Sequence, residues 1–235
     1  MMTIFQNKRV SYWLFVCFFL IISSNVNGID QFRAQKAQKN SAPWIGEEFS
    51  GAPCRGKRQG FGPYDYLNRS VLKGELIIVE GSHFTPEVEA LVRGKTGVEP
   101  LSDTDYTLRA WPNHHRALNS VTRYHFQQKK KGIRLPTPPE CYYMRAINFS
   151  PKDATTYMLY AMYLHKSGKM DDAEEKYNKA LEIKPNDIQI HYNYGLYLVD
   201  RKRFEDAKHH AEIVYSYSFP LSGLKNKLRN AGYWP

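Results

Sequence analysis

The chain has 235 residues, with 33 Lys and Arg against 23 Asp and Glu, and it carries a formal net charge of +10 at pH 7. This length suits one or two small domains and excludes a large multidomain protein. The hydrophobic content of 42% permits a packed core, and the 17 Tyr and 12 Phe are typical of folds that fill helix seams with large rings.

The first 28 residues have the pattern of a secretory signal peptide. Lys8 and Arg9 form a basic region, and an uninterrupted apolar run of 11 residues follows at positions 12–22. A helix needs about 20 apolar residues to cross a bilayer, so this run is too short for a stable span. Small and polar residues then lead to Gly28, where cleavage is expected. We therefore predict export to the periplasm of a Gram-negative bacterium or to the cell exterior, with an uncleaved membrane anchor as the alternative.

Two cysteines, Cys54 and Cys141, remain once residues 1–28 are removed. An exported protein meets an oxidising compartment, in which two cysteines can pair. A disulfide between them closes a loop of about 90 residues and stabilises the chain by roughly 4–5 kcal/mol in the chain-entropy model. We favour this pairing, and two separate buried thiols are the alternative.

Residues 29–63 are predicted to form an extended leader. The stretch 29–42 is polar and lacks periodic apolar positions, which favours disorder. The stretch 43–63 is rich in Gly and Pro but includes Trp44 and Phe49. We expect it to be irregular coil that lies on a surface through its aromatic side chains.

Residues 64–111 are predicted to be a small strand–helix–strand segment. Residues 75–80 are apolar and rich in β-branched side chains between two glycines, which indicates a strand. A helix is expected to begin at Thr85 and to end at Gly94, and residues 106–110 form a weaker second strand. One such unit cannot make its own core, so we expect it to pack on the helices that follow.

Residues 112–235 have helical periodicity throughout. Asn113 is a suitable N-cap for a helix that ends near Lys129, and a second helix is expected at 140–148 after a Pro-rich loop. Residues 221–231 are predicted to be a final helix that covers the last apolar face, as the ends of repeat arrays require.

A repeat of about 34 residues accounts for the centre of this helical region. A unit that starts at Ala154 has large residues and one small residue in its first helix, and Ala, an aromatic ring, Ala and Pro in its second. The next unit starts at Ile188, and an earlier unit departs from the pattern through an enlarged loop. The positions that carry the pattern are Tyr157, Tyr160, Ala161, Leu164, Ala173, Tyr177, Ala180 and Pro185, followed by Tyr194, Gly195, Leu198 and Ala207.

These positions resemble the tetratricopeptide-repeat family over about half of the predicted mature chain, whereas residues 29–111 resemble no named domain. The resemblance implies a mainly α fold: a short array of helical hairpins, preceded by the small α/β segment and the irregular leader. It implies an interaction module or assembly scaffold, not an enzyme, with a groove of first helices that binds a protein, peptide or helix. The groove residues that it implies are Met158, Met162, His165, Lys166, Tyr192, Leu196 and Val199. The alternative is that the protein's own leader fills the groove.

His83, His114 and His115 invite a metal or catalytic interpretation. Adjacent residues of a helix point about 100° apart, so His114 and His115 are poorly placed to bind one ion together. No spacing of the His-Glu-x-x-His kind is present. Capping and hydrogen bonding explain these side chains more simply. We therefore predict neither enzyme activity nor a cofactor, with a metal-dependent enzyme or metal site around the three histidines as the alternative.

The positive charge is concentrated in short clusters at 55–58, 129–131 and 201–203. Export argues against nucleic acid, so acidic envelope polymers or an acidic protein fit this charge better. A solvated positive face is the simpler interpretation. A structural subunit of an envelope complex, which makes its contacts through the outer surface of the array, is a further alternative.

Overall fold

The computed structural model describes residues 41–95 and 99–235, so the predicted signal peptide lies outside the described residues. In these ranges the chain is helical and contains no β-strand. None of the helices found there is long and apolar enough to span a bilayer. The helices are α1 (Lys73–His83), α2 (Pro86–Glu89), α3 (Pro100–Ala110), α4 (His115–Lys129), α5 (Pro139–Phe149), α6 (Ala154–Lys166), α7 (Met170–Ile183), α8 (Ile188–Asp200), α9 (Phe204–Ser216) and α10 (Gly223–Asn230).

Helices α4 to α9 form three consecutive antiparallel hairpins, and α10 follows as a single helix. The second and third hairpins are related by a shift of 34 residues, since α6 begins at Ala154 and α8 at Ile188. Both first helices are capped by an aspartate: Asp153 accepts from the Thr156 amide, and Asp187 from the Gln189 amide. The helix starts therefore coincide with the repeat starts that the residue pattern predicts.

The turns inside the two hairpins have the same geometry. Gly168 and Lys202 follow α6 and α8 with φ angles of 81° and 60°, in the left-handed region. In each turn the amide of the following residue donates to the carbonyl five residues earlier, from Lys169 to Leu164 and from Arg203 to Leu198, both at 2.9 Å. The second hairpin thus places a glycine, and the third a lysine, in a conformation that suits glycine.

Small residues allow the helices to approach closely, and tyrosines fill the space between hairpins. A Cβ built on Gly195 would lie 2.6 Å from a methyl group of Leu224, so any larger residue here would force the Leu224 side chain of α10 to shift. Tyr177 stacks on Tyr194 with ring centroids 5.1 Å apart, across the second and third hairpins. The ring pairs and the small residues together make one continuous apolar core along the array.

The predicted strand at residues 75–80 is wrong, because this stretch lies within α1. Leu76 and Val79 are spaced as in a helix, and both pack on the buried cluster around Trp111. Ile77 and Ile78 are 57% and 59% exposed, so two of the β-branched side chains that suggested a strand lie outside the packed face of the helix. Burial of one helical face outweighs the modest strand preference of the residues.

The second predicted strand at residues 106–110 is also wrong, since it forms the end of α3. Two threonines bond back to carbonyls one turn earlier, Thr104 to Pro100 at 2.9 Å and Thr107 to Asp103 at 3.0 Å. With both strands replaced by helices, the small α/β segment is absent from the described residues.

Two helix boundaries also differ from the prediction. The helix expected from Thr85 to Gly94 is only the single turn of α2, because Leu91 has a φ of 63° and reverses the chain. The N-cap of α4 is His114, whose ring nitrogen Nδ1 accepts from the Ala117 amide at 3.1 Å. Asn113, the predicted cap, instead bonds to residues of other segments.

Candidate functional site

The first helices of the three hairpins, α4, α6 and α8, lie side by side, and α10 continues the row. We call this row the inner row. Polar contacts join its members: the Asn193 amide donates to the Met158 sulfur at 3.6 Å, and His165 pairs with Asp200 at 3.2 Å. Lys227 of α10 reaches the same aspartate at 2.6 Å. Helices α6, α8 and α10 are therefore held together along one face.

The structure brings the predicted groove residues onto this row but gives them different degrees of exposure. Met158 and Tyr192 are only 6% and 7% exposed, which leaves them almost no surface for a partner. Tyr192 is covered by Phe219, with ring centroids 5.0 Å apart. The accessible residues of the set are Met162 and Lys166, whereas His165, Leu196 and Val199 are partly buried.

Lys166 places a positive charge on the inner row where α6 packs on α4. The Lys166 ammonium lies over the ring of Phe126 in α4, 4.4 Å from the centroid. His165 is half-buried, and burial lowers its pKa although Asp200 acts in the opposite direction. Asp200 is shared by His165 and Lys227, so its charge is offset within the protein. Lys166 therefore contributes an exposed positive charge to the inner row.

The leader forms a closed turn at residues 46–54 that contacts the edge of the inner row. Its backbone is held by bonds from the Cys54 amide to the Gly46 carbonyl and from the Glu48 amide to the Ala52 carbonyl. Cys54 forms a disulfide with Cys141 of α5, with a Cα–Cα distance of 5.4 Å. The tip of the turn carries Phe49, whose ring stacks on Tyr163 at 5.7 Å. Phe49 therefore lies beside the end of α6.

Arg145 of α5 anchors the rest of the leader. Its guanidinium is buried and donates to the carbonyl oxygens of Ala42 and Leu108 and to the Gln59 side chain, each at 2.6 Å. The ring of Trp44 lies 4.9 Å from the guanidinium carbon. Burial lowers the pKa of Arg145 to about 10, and the hydrogen bonds compensate the loss of hydration. These contacts place the leader along α5 and at the end of α6, at the edge of the inner row.

The three histidines do not form one cluster. Each has its own carboxylate partner: His83 pairs with Asp103 at 2.8 Å, His114 with Glu80 at 3.0 Å and His115 with Asp153 at 2.8 Å. His114 is completely buried, and burial lowers its pKa despite the bond to Glu80. Among the described residues there is no group of three or more side chains that could hold a metal ion. The three pairs join α1 to α3, α1 to the start of α4, and the start of α4 to the start of α6.

The hairpins, their close-packed small residues and the inner row define a helical-repeat protein. Residues 163–200, which run from the end of α6 to the end of α8, match the family model of the TPR repeat. Residues in this range therefore form a tetratricopeptide repeat, as the residue pattern predicts. No curated protein sequence matches the chain.

Proposed function

We propose that this protein is a non-enzymatic interaction module that binds a peptide or helix of a partner protein on the inner row. The observation that carries the proposal is the accessible strip on this row. Met162 is 37% exposed on α6, and Leu196 and Val199 lie partly exposed on the neighbouring α8. An apolar strip between helices accepts the apolar side chains of a bound segment, which the charged rim then orients.

Charge supports an acidic partner. The chain carries a net charge of +10, and Lys166 stands at the rim of the strip, where it can pair with carboxylates. An acidic protein segment satisfies both the apolar strip and the charge. Acidic envelope polymers satisfy only the charge, so we place them second as ligands.

Two features support export. The first 28 residues have the composition of a signal peptide, and Cys54 is joined to Cys141 by a disulfide, which is typical of proteins in oxidising compartments. We therefore propose that the partner is met in the cell envelope. Accumulation of the processed chain in a periplasmic fraction would support this location, and retention in the cytoplasm would contradict it.

The proposed function is tested by a crosslinking pull-down from envelope extract. The baits are the wild-type chain, Met162→Glu, and Val71→Glu as a matched control, since Val71 is an 85% exposed apolar residue outside the repeats. Circular dichroism first establishes that all three baits are folded. A partner retained by the wild-type and Val71→Glu baits but lost by Met162→Glu supports the proposal. Equal capture by all three baits contradicts it.

A further inference from the structure

Three aromatic rings from three different segments lie next to one another at the end of α6. Tyr163 is the central ring, with Phe49 of the leader at 5.7 Å and Phe126 of α4 at 5.8 Å between centroids. Each outer ring has its own lysine: Lys169 lies 5.2 Å from the Phe49 centroid, and Lys166 lies 4.4 Å from that of Phe126. The result is a short aromatic wall with two ammonium groups, which we call the aromatic–lysine wall.

The leader turn that supplies Phe49 is fixed from several sides. The Phe49 amide donates to Glu140 Oε1 at 3.1 Å, while the Tyr163 hydroxyl donates to the other oxygen of the same carboxylate. Glu140 is only 3% exposed, so this bridge is shielded from water. Arg134 forms an ion pair with Glu48 on the other flank, and the disulfide at Cys54 closes the base of the turn. Phe49 therefore stands in one position without the need for a ligand.

The exposed fractions of the rings distinguish two roles for Phe49, which are to cover the core and to contact a ligand. Tyr163 is 1% exposed, whereas Phe49 is 43% exposed although it belongs to a rigid turn. A residue that serves only to cover the core gains most when its own ring is buried as well. A rigid, half-exposed aromatic ring beside lysines is instead suited to contact a ligand, because it loses little side-chain entropy on binding.

We propose that Phe49 and the aromatic–lysine wall form a subsite of the partner groove, and that it binds an acidic side chain next to an aromatic or aliphatic one. This inference rests on the proposed function. The ammonium groups of Lys166 and Lys169 lie over rings and keep donors for a carboxylate. The open part of the Phe49 ring takes the neighbouring apolar side chain. The leader thus completes the binding surface of the repeats.

The test uses a phage-displayed library of random peptides selected on the full wild-type chain, followed by affinity measurement with the enriched peptides by fluorescence anisotropy. The expected peptides contain Asp or Glu adjacent to an apolar residue. Phe49→Ala is expected to weaken their binding by about 3–10-fold, the range for one aromatic contact. Phe61→Ala is the matched control, since Phe61 is a leader phenylalanine that is 37% exposed and packs on Tyr64 instead.

Two further variants separate this inference from the proposed function. Lys169→Gln should weaken acidic peptides and reduce the dependence of their affinity on salt. Peptides whose binding is lost in Met162→Glu but unchanged in Phe49→Ala would leave the groove in place and overturn the subsite. Enriched peptides without acidic residues would overturn it as well. A library from which no peptide binds, or whose peptides ignore both Met162 and Phe49, would contradict the proposed function itself.

Discussion

Lys202 adopts a backbone conformation that suits glycine, and its replacement gives a sharp test of the repeat geometry. Its φ of 60° corresponds to 81° at Gly168, and both residues end a first helix with the same hydrogen bonds. A side chain in the left-handed region costs about 1–2 kcal/mol. Glycine there loses roughly 0.5–1 kcal/mol more backbone entropy on folding. Lys202→Gly is therefore expected to raise the free energy of unfolding by about 0.5–1 kcal/mol.

The assay is urea denaturation followed by circular dichroism, in which a change of midpoint at constant slope reports a change of stability. Lys202→Ala is the matched control, because it removes the same long side chain and keeps the Cβ. It should leave the midpoint almost unchanged. The reciprocal variant Gly168→Ala should lose about 1 kcal/mol. No atom lies within 4 Å of a Cβ built at Gly168, so that loss would come from the backbone conformation and not from a collision.

The positive φ of Lys202 is the expected source of the difference between the two repeats. Lys202→Gly must therefore be more stable than Lys202→Ala. If the glycine variant unfolds at a lower urea concentration than the alanine variant, the positive φ at position 202 does not destabilise this turn. A neutral Gly168→Ala would lead to the same conclusion from the other repeat.

Other variants probe the buried polar groups and the leader. Burial and, to a smaller extent, the neighbouring His191 lower the pKa of His210 from its ordinary 6.5 to about 4. The unfolded chain therefore binds more protons between these values, and stability should fall by about 1–2 kcal/mol from pH 7 to pH 4, after a discount for partial exposure. His210→Gln should remove this part of the dependence in urea titrations. Arg145→Lys should cost about 2–4 kcal/mol in thermal unfolding, because one ammonium cannot replace the forked donors; an unchanged midpoint would contradict this. Reduction of Cys54–Cys141 should cost about 4–5 kcal/mol by the loop-entropy model and speed proteolysis within the turn 46–54; unchanged cleavage would show that the other contacts hold the turn.

The repeats could be predicted because their contacts are local and periodic. Small and large residues recur with the spacing of a helical hairpin, and the same spacing places Ala154 and Ile188 at helix starts. The segment at 64–111 could not be predicted in this way. Leu76 and Val79 form the buried face of a helix because they pack on the cluster around Trp111, more than thirty positions later in the chain. The local sequence does not show this contact. Judged without that partner, the β-branched residues dominate and indicate a strand.

The candidate site likewise combines residues located by their repeat position with residues brought together only by contacts between distant parts of the chain. Met162 and Lys166 are accessible on the inner row. Tyr192 has the same kind of position, yet the segment after α9 returns over it and places Phe219 on its ring. Phe49 lies in a turn closed by the Cys54–Cys141 disulfide, which the cysteine count indicates, but its contact with Tyr163 of α6 is not indicated by the sequence. Contacts of this length depend on tertiary structure, so repeat periodicity alone does not reveal them.

The polar residues that most resemble an active site have a structural explanation that also bears on function. An irregular leader and short helices expose many backbone and side-chain polar groups, and burial of these groups requires partners. Asp153 illustrates this: it caps α6 and also binds Asn113 and His115, which joins the start of α4 to the second hairpin. Burial acts to raise its pKa, yet the bonds from His115, Asn113 and Thr156 lower it, so the folded chain keeps this group ionised. Charged groups used in this way hold the leader and α1–α3 against the first hairpin, and under the proposed function the accessible strip of the inner row is the surface that a partner contacts.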